Sequence, residues 1–295
     1  MARLKTFGHL LQYAALRGAL AALSLVPRRF RPRVEAWLGR RVILNVPGLR
    51  RRISDNLALV YPDMAQPERD RLLRDIAGNI ARNMVGLFDN AHLIATAESR
   101  IEVPDGPALD AIRQARAQGR GILFVSAHYG PFDAGRIGLR TLGVEVGALY
   151  RTQNNPWFNR FMIDRLGRAG QPMVPRGRSG LRTLIRHLRA GGAMVILIDQ
   201  KAAGQPLDFL GRPAMTSIDA AELALRHDLL LMSGVTRRVG DARSRLAFEG
   251  PVPHPAPVQM TRTLNDMLSE QIRRDPANWY WLHRRWAQPK GIARR

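Results

Sequence analysis

The chain has no cysteine, which excludes a disulfide framework, a thiolate nucleophile and any metal site built on sulfur. Lysine is nearly missing too, present only at positions 5, 201 and 290, so the basic side chains are overwhelmingly arginine. Acidic residues are scarce beside them, 24 against 46 basic, which leaves a formal charge of +22. Arginine's planar fork suits phosphate and carboxylate, so the imbalance points to an anionic partner. Nucleic acid, an anionic membrane and an acidic carrier protein all satisfy it. No internal repeat or low-complexity run is visible in the 295 residues, and 45% hydrophobic content is that of a folded chain.

A clean transmembrane run is also lacking. The apolar stretch 7–26 is long enough for one crossing, but Arg17 interrupts its middle, with His9 and Gln12 nearby. A central arginine costs on the order of 3 kcal/mol on insertion scales. Arg3 and Lys5 precede the stretch, and Arg28, Arg29, Arg31 and Arg33 follow it. That dense basic flank argues against a cleaved signal peptide. It fits a helix, within residues 1–33, that anchors in or lies on an anionic cytoplasmic leaflet. A buried helix of a soluble protein is the alternative.

Residues 34–295 read as one further unit. Helical periodicity runs through Ile53, Leu57 and Val60, breaks at Tyr61-Pro62-Asp63, and resumes near Pro67 through Leu73, Ile76 and Ile80 to Phe88. These helices, at about 50–95, are expected to cover a core at about 100–290. There strands near 122–125, 144–150, 172–175, 193–198, 229–235 and 244–248 alternate with helices. The expected fold is α/β, a mostly parallel sheet flanked by helices, with the N-terminal membrane-associating helix and the helical cover added.

Within that core, 122–125 is a continuous apolar run of the kind buried on both faces, stopped by Tyr129-Gly130-Pro131. His128 therefore falls in the loop past a strand's C-terminal end, where open α/β sheets bind ligands. Asp133 follows at H-x4-D spacing, suited both to cap the next helix and to orient one imidazole nitrogen. The other nitrogen is left as a general base. Asp199 ends a second apolar strand and converges on the same crevice. Arg151, Arg168, Arg176 and Arg178 cluster at successive strand and helix exits, where bidentate arginines hold phosphates.

The order of these blocks resembles the bacterial lipid A late acyltransferases, lauroyl and myristoyl transferases within the H-x4-D glycerolipid acyltransferase superfamily. Along nearly the whole chain come Arg52-Ile53-Ser54-Asp55-Asn56-Leu57 with Tyr61-Pro62, Ser126-Ala127-His128 through Asp133, and Tyr150-Arg151-Thr152-Gln153-Asn154-Asn155-Pro156 with Gly167-Arg168. Pro175-Arg176, Ile198-Asp199-Gln200, Phe209-Leu210-Gly211-Arg212-Pro213-Ala214 and Trp279-Tyr280-Trp281-Leu282-His283-Arg284-Arg285-Trp286 complete the series. The strand that ends in Asp199-Gln200 departs from the Pro-Glu-Gly block of the glycerol-phosphate branch.

The resemblance implies an O-acyltransferase of the bacterial inner membrane, cytoplasmic face, with acyl carrier protein or acyl-CoA as donor and a lipid A precursor as acceptor. It implies no cofactor and no metal. His128 and Asp133 would be catalytic, while Arg151, Asn155, Arg168, Arg176, Asp199 and Gln200 would bind substrate. An oxyanion hole from backbone amides or an arginine is also required. Another lipid acceptor, such as a lysophospholipid, is the nearest alternative. The +22 charge alone motivates a nucleic-acid-binding reading, for which the Trp279–Trp286 block would supply the aromatics; no nucleic acid is expected from the resemblance.

Overall fold

Strand β2 (Ile122–Ser126) lies at the centre of the sheet, and its side chains show why it must. Leu123 and Val125 pack into one hydrophobic layer, Ile122 and Phe124 into the other, and all four are buried. A strand without a polar face can be stable only between two layers of helix. The computed structural model describes residues 2–286, with side chains from Thr6 onward. The end of the expected core near 290 and the side chains of Arg3 and Lys5 lie outside the described residues.

The chain opens with α1 (Ala2–Ser24), α2 (Arg31–Asn45), α3 (Pro47–Val60), α4 (Gln66–Phe88) and two short helices, α5 (Ala91–Ala95) and α6 (Ala97–Arg100). The core follows as β1 (Ile101–Glu102), α7 (Pro107–Ala117), β2, α8 (Phe132–Thr141), β3 (Val146–Tyr150), α9 (Pro156–Ala169), β4 (Met173–Pro175), α10 (Arg178–Arg189) and β5 (Ala193–Leu197). A hairpin of β6 (Gln205–Phe209) and β7 (Arg212–Thr216) precedes α11 (Asp219–Arg226), β8 (Leu230–Val239), β9 (Arg243–Glu249) and α12 (Pro257–Arg274).

Seven strands form one sheet in the order β1-β9-β8-β2-β5-β3-β4. Every pairing is parallel except β8 with β9, so the expected mostly parallel sheet is what forms. The β6–β7 hairpin stands apart as a two-stranded antiparallel ladder. The expected strands lie within a few residues of β2, β3, β4, β5, β8 and β9, while α2, α6, β1, α7 and the hairpin are additions to the expected elements.

Helix α2 packs on α4 through small residues. A Cβ at Gly39 would strike the backbone of Ala77, and Gly78 faces Ala36 across the crossing. Beside this close approach Glu35 of α2 is partly buried, and burial raises its pKa while Arg82 of α4 opposes the rise.

Helix α1 is continuous but mostly exposed, and no helix among the described residues is long and apolar enough to cross a membrane. The spanning form of the N-terminal expectation is thereby set aside. Arg17 supplies the reason: its guanidinium lies 5.2 Å from the Phe161 ring of α9 and donates to the Tyr13 hydroxyl at 2.9 Å. Arg31, counted above as a basic flank, instead donates from Nε to the Val26 carbonyl at 2.8 Å and also binds the Ser24 carbonyl and Asp89. It satisfies carbonyls at the end of α1, a position where a cation is favoured.

Candidate active site

The register of β2 against β5 sets the site. Ser126 pairs with Leu197, and Ile198 N–H donates to the Ser126 carbonyl at 3.1 Å. Two residues further along each chain are His128 and Asp199, so parallel pairing delivers them side by side. His128 Nδ1 lies 2.8 Å from Asp199 Oδ1, and the His128 backbone N–H donates to Oδ2 at 2.9 Å. Trp279 Nε1 donates to the same Oδ2 at 2.9 Å. Asp199 is completely buried. Burial alone would raise its pKa, but the charge and hydrogen bonds of His128 prevail and hold it well below the usual carboxylate range. An ionised Asp199 requires Nδ1 to carry its proton, which leaves Nε2 as the basic nitrogen.

This corrects the pairing expected from the H-x4-D spacing. Asp133 is not the N-cap of α8, which is Pro131; it lies in the first turn, and its Oδ1 accepts from Arg136 at 2.7 Å. Both side chains are buried. Arg136 is fixed further by the carbonyls of Val146 at 2.9 Å and Gly170 at 2.6 Å. Burial raises the Asp133 pKa, with Arg136 opposing it. The i,i+3 spacing of Asp133 and Arg136 on one helix was the signal for this pair.

Around His128 opens a cavity of about 560 Å³, within the range of small-ligand sites. Asp133, Arg151, Arg176, Gln200, Tyr280 and His283 contribute its polar lining. Its apolar lining comes from Leu87 and Phe88 of α4, from Phe158, Met162 and Leu166 of α9, and from Met173. Thus Arg151, Arg176 and Gln200 reach the cavity as expected from their strand exits.

Three other expected substrate contacts are placed differently. Asn155 caps α9 by accepting from Phe158 N–H at 3.2 Å and donates to the His9 carbonyl at 2.7 Å, so its side chain is spent on structure. Arg168 pairs with Asp164 one turn back at 2.9 Å and does not line the cavity. Asp199 belongs with His128 beneath the surface rather than with substrate.

The C-terminal aromatic block closes the site from behind. Tyr129 and Trp279 form an isolated antiparallel bridge, and Tyr280 N–H donates to the His128 carbonyl at 3.0 Å. Trp279 and Trp281 are fully buried, so they offer no stacking platform for nucleic-acid bases. Asn56 of α3 donates to the carbonyls of Trp281 at 2.7 Å and His283 at 2.9 Å, tying the helical cover to this block. Arg285 is buried over the Phe209 ring, 4.7 Å from its centroid, and bonds the Gln200 and Met215 carbonyls and Thr216. Burial pushes its pKa down to about 10.

His283, whose role the sequence did not single out, stands edge-on to His128 with ring centroids 4.6 Å apart. Its Nε2 is 3.7 Å from Asp199 Oδ2 and has no hydrogen-bond partner. Burial pushes its pKa down to about 4, against the pull of Asp199 and with help from His128 and Arg285. At neutral pH it is therefore uncharged. The ligand atoms of His128, Asp199 and His283 lie within 4.8 Å of one another, a possible metal donor set. Both Asp199 oxygens are already engaged by N–H groups, which suits a carboxylate that orients His128 better.

A family model described as bacterial lipid A biosynthesis acyltransferase matches residues 2–288. Over 272 residues the chain is 23% identical to the lipid A biosynthesis acyltransferase of Haemophilus influenzae, covering 89% of this chain and 83% of the relative. It is 25% identical to the lipid A biosynthesis palmitoleoyltransferase of Escherichia coli, with 86% and 85% covered. It is likewise 25% identical to the lipid A biosynthesis lauroyltransferase of that organism, with 82% and 81% covered.

Proposed function

Because this chain belongs to the bacterial lipid A biosynthesis acyltransferase family, we propose that it moves a fatty acyl chain from acyl carrier protein to a hydroxyl of a lipid A precursor at the cytoplasmic face of the inner membrane. The observation that carries this reading is the His128–Asp199 relay opening on a cavity with apolar walls. His128 Nε2 takes the proton of the acceptor hydroxyl as its oxygen attacks the thioester carbonyl. The carbon–sulfur bond then breaks, and the imidazolium returns the proton to the departing thiolate. Asp199 stays ionised throughout and stabilises the transient imidazolium, the part a buried carboxylate plays in a hydrolytic triad. Asp133 acts at one remove, by keeping Arg136 and the cavity wall in place.

The apolar lining from α4 and α9 suits the acyl chain, and Arg151 and Arg176 suit phosphate on the acceptor or on the donor's prosthetic arm. Support for a membrane surface comes from α1 and α2, where Phe7, Leu11, Trp37 and Val42 are all more than half exposed. Arg28, Arg29, Arg33, Arg40 and Arg41 are exposed among them. Apolar side chains interleaved with cations are the pattern of an element lying in the headgroup region.

The test is acyl transfer by purified protein to a lipid A precursor, followed by mass spectrometry, with acyl carrier protein and CoA thioesters compared as donors. The wild type should add one chain, faster from the carrier protein, and His128→Ala should lose at least roughly 100-fold in rate. Near wild-type turnover by His128→Ala would overturn the assignment, and transfer only to lysophospholipids would replace the acceptor.

A further inference from the structure

A pocket of about 170 Å³ lies in the seam between α1 and α9, with Arg17, Leu20 and Ser24 on one side and Phe161 and Arg165 on the other. Two cations converge there on one ring. The Arg17 guanidinium lies 5.2 Å from the Phe161 centroid and that of Arg165 lies 5.0 Å from it. Each contact is favourable alone, but the two like charges repel each other.

The acids nearby are committed elsewhere. Asp89, which also lines the pocket, is paired with Arg31 at 3.2 Å. Asp164 stands 3.7 Å from Arg165 Nε, too far for a hydrogen bond, and is engaged by Arg168 at 2.9 Å. Arg165 Nε is buried and has no hydrogen-bond partner among the described residues. The Ser24 hydroxyl donates to the Ala21 carbonyl at 2.6 Å, so it brings no donor to the pocket. An anion between the two guanidiniums replaces their repulsion with charge-assisted hydrogen bonds, and a phosphate has oxygens enough to serve both. The remaining walls, Leu20, Phe88 and Phe161, are apolar. They suit the glycerol and first methylenes of a lipid better than a hydrated free ion. Along the same helix Phe7, Leu10 and Leu11 are exposed, a surface for the lipid's chains.

We propose that this pocket binds the phosphate of an anionic membrane lipid between Arg17 and Arg165, pinning α1 to α9 at the bilayer surface. Phe88 lines both this pocket and the His128 cavity, so a lipid held here brings the α4–α9 wall of that cavity to the membrane. The inference stands apart from acyl transfer. It rests on the membrane reading of α1 only for the choice of a lipid over a free ion, and its test separates the two.

The probe is dihexanoyl phosphatidylglycerol, kept below its micellar concentration and titrated calorimetrically into the full chain, with inorganic phosphate titrated in parallel. The wild type should bind the lipid at a single saturable site, and inorganic phosphate at least roughly tenfold more weakly. Arg17→Gln and Arg165→Gln should each weaken lipid binding roughly tenfold, the worth of a charge-assisted hydrogen bond. Thermal melts check folding, and because Arg17 is exposed its variant reports even where Arg165→Gln is less stable. Arg182→Gln removes the same charge from an exposed position on α10, outside the pocket, and should bind as the wild type does. Equal losses in all three variants would reduce the site to general attraction by a chain of charge +22. Undiminished binding in both pocket variants would remove the site altogether. Inorganic phosphate binding as tightly as the lipid would leave an anion site without a lipid. Each of these results overturns the inference.

Discussion

Asp199 accepts three N–H groups, and the neighbour it does not fully engage, His283, sets a condition on pH. The pKa of His283 is pushed down to about 4 in the folded chain, whereas an unfolded histidine titrates near 6.5. Between those values the unfolded chain binds a proton that the folded chain refuses, so stability falls as the pH drops through that window. The gap is worth about 3 kcal/mol at most. Asp199, held below its ordinary range, adds a loss in the same direction only at more acid pH, below about 4. Denaturant unfolding at pH 7 and pH 4.5 should therefore show a marked acid loss in the wild type. His283→Gln, which cannot take up that proton, should show a smaller one. Equal losses in both proteins would mean that His283 titrates normally.

At the scale of elements, the turn between β2 and α8 decides whether the relay forms. Gly130 has φ +55°, and a Cβ there would strike the Thr236 carbonyl of β8. Only glycine meets both demands without strain. Gly130→Ala is expected to cost about 2 kcal/mol or more and to cut turnover sharply, read by denaturant unfolding and steady-state kinetics. An unaltered midpoint and rate would show that the turn tolerates a side chain. The tripeptide Tyr129-Gly130-Pro131 made this turn legible in the sequence, and the apolar runs of β2 and β5 made the central strands legible. The carboxylate that serves His128 was harder to read, because Asp133 is near in sequence while Asp199 is near only through strand register. Helix α2 is not legible in the sequence because Trp37, Leu38 and Val42 face outward, so its apolar residues trace no single buried stripe. The β6–β7 hairpin was hidden by Pro206 and Pro213, tolerated here because a two-stranded ladder is all edge.

Over the whole molecule, the proposed membrane contact combines a charge of +22 with an outward apolar surface. Trp37 and Leu38 are 53% and 41% exposed, so replacing both with glutamate should leave the thermal melt nearly unchanged. Co-sedimentation with anionic vesicles should fall roughly tenfold or more. Undiminished binding would move the membrane contact away from α2. The relay is likewise a property of the entire fold: His128, Asp199 and Trp279 come from the exits of β2 and β5 and from the C-terminal block. Proton NMR of the His128 Nδ1–H tests that claim most directly, since a hydrogen bond to a buried carboxylate shifts this resonance far downfield. The resonance should persist in Asp133→Asn and disappear in Asp199→Asn. Its loss in Asp133→Asn and survival in Asp199→Asn would contradict the account.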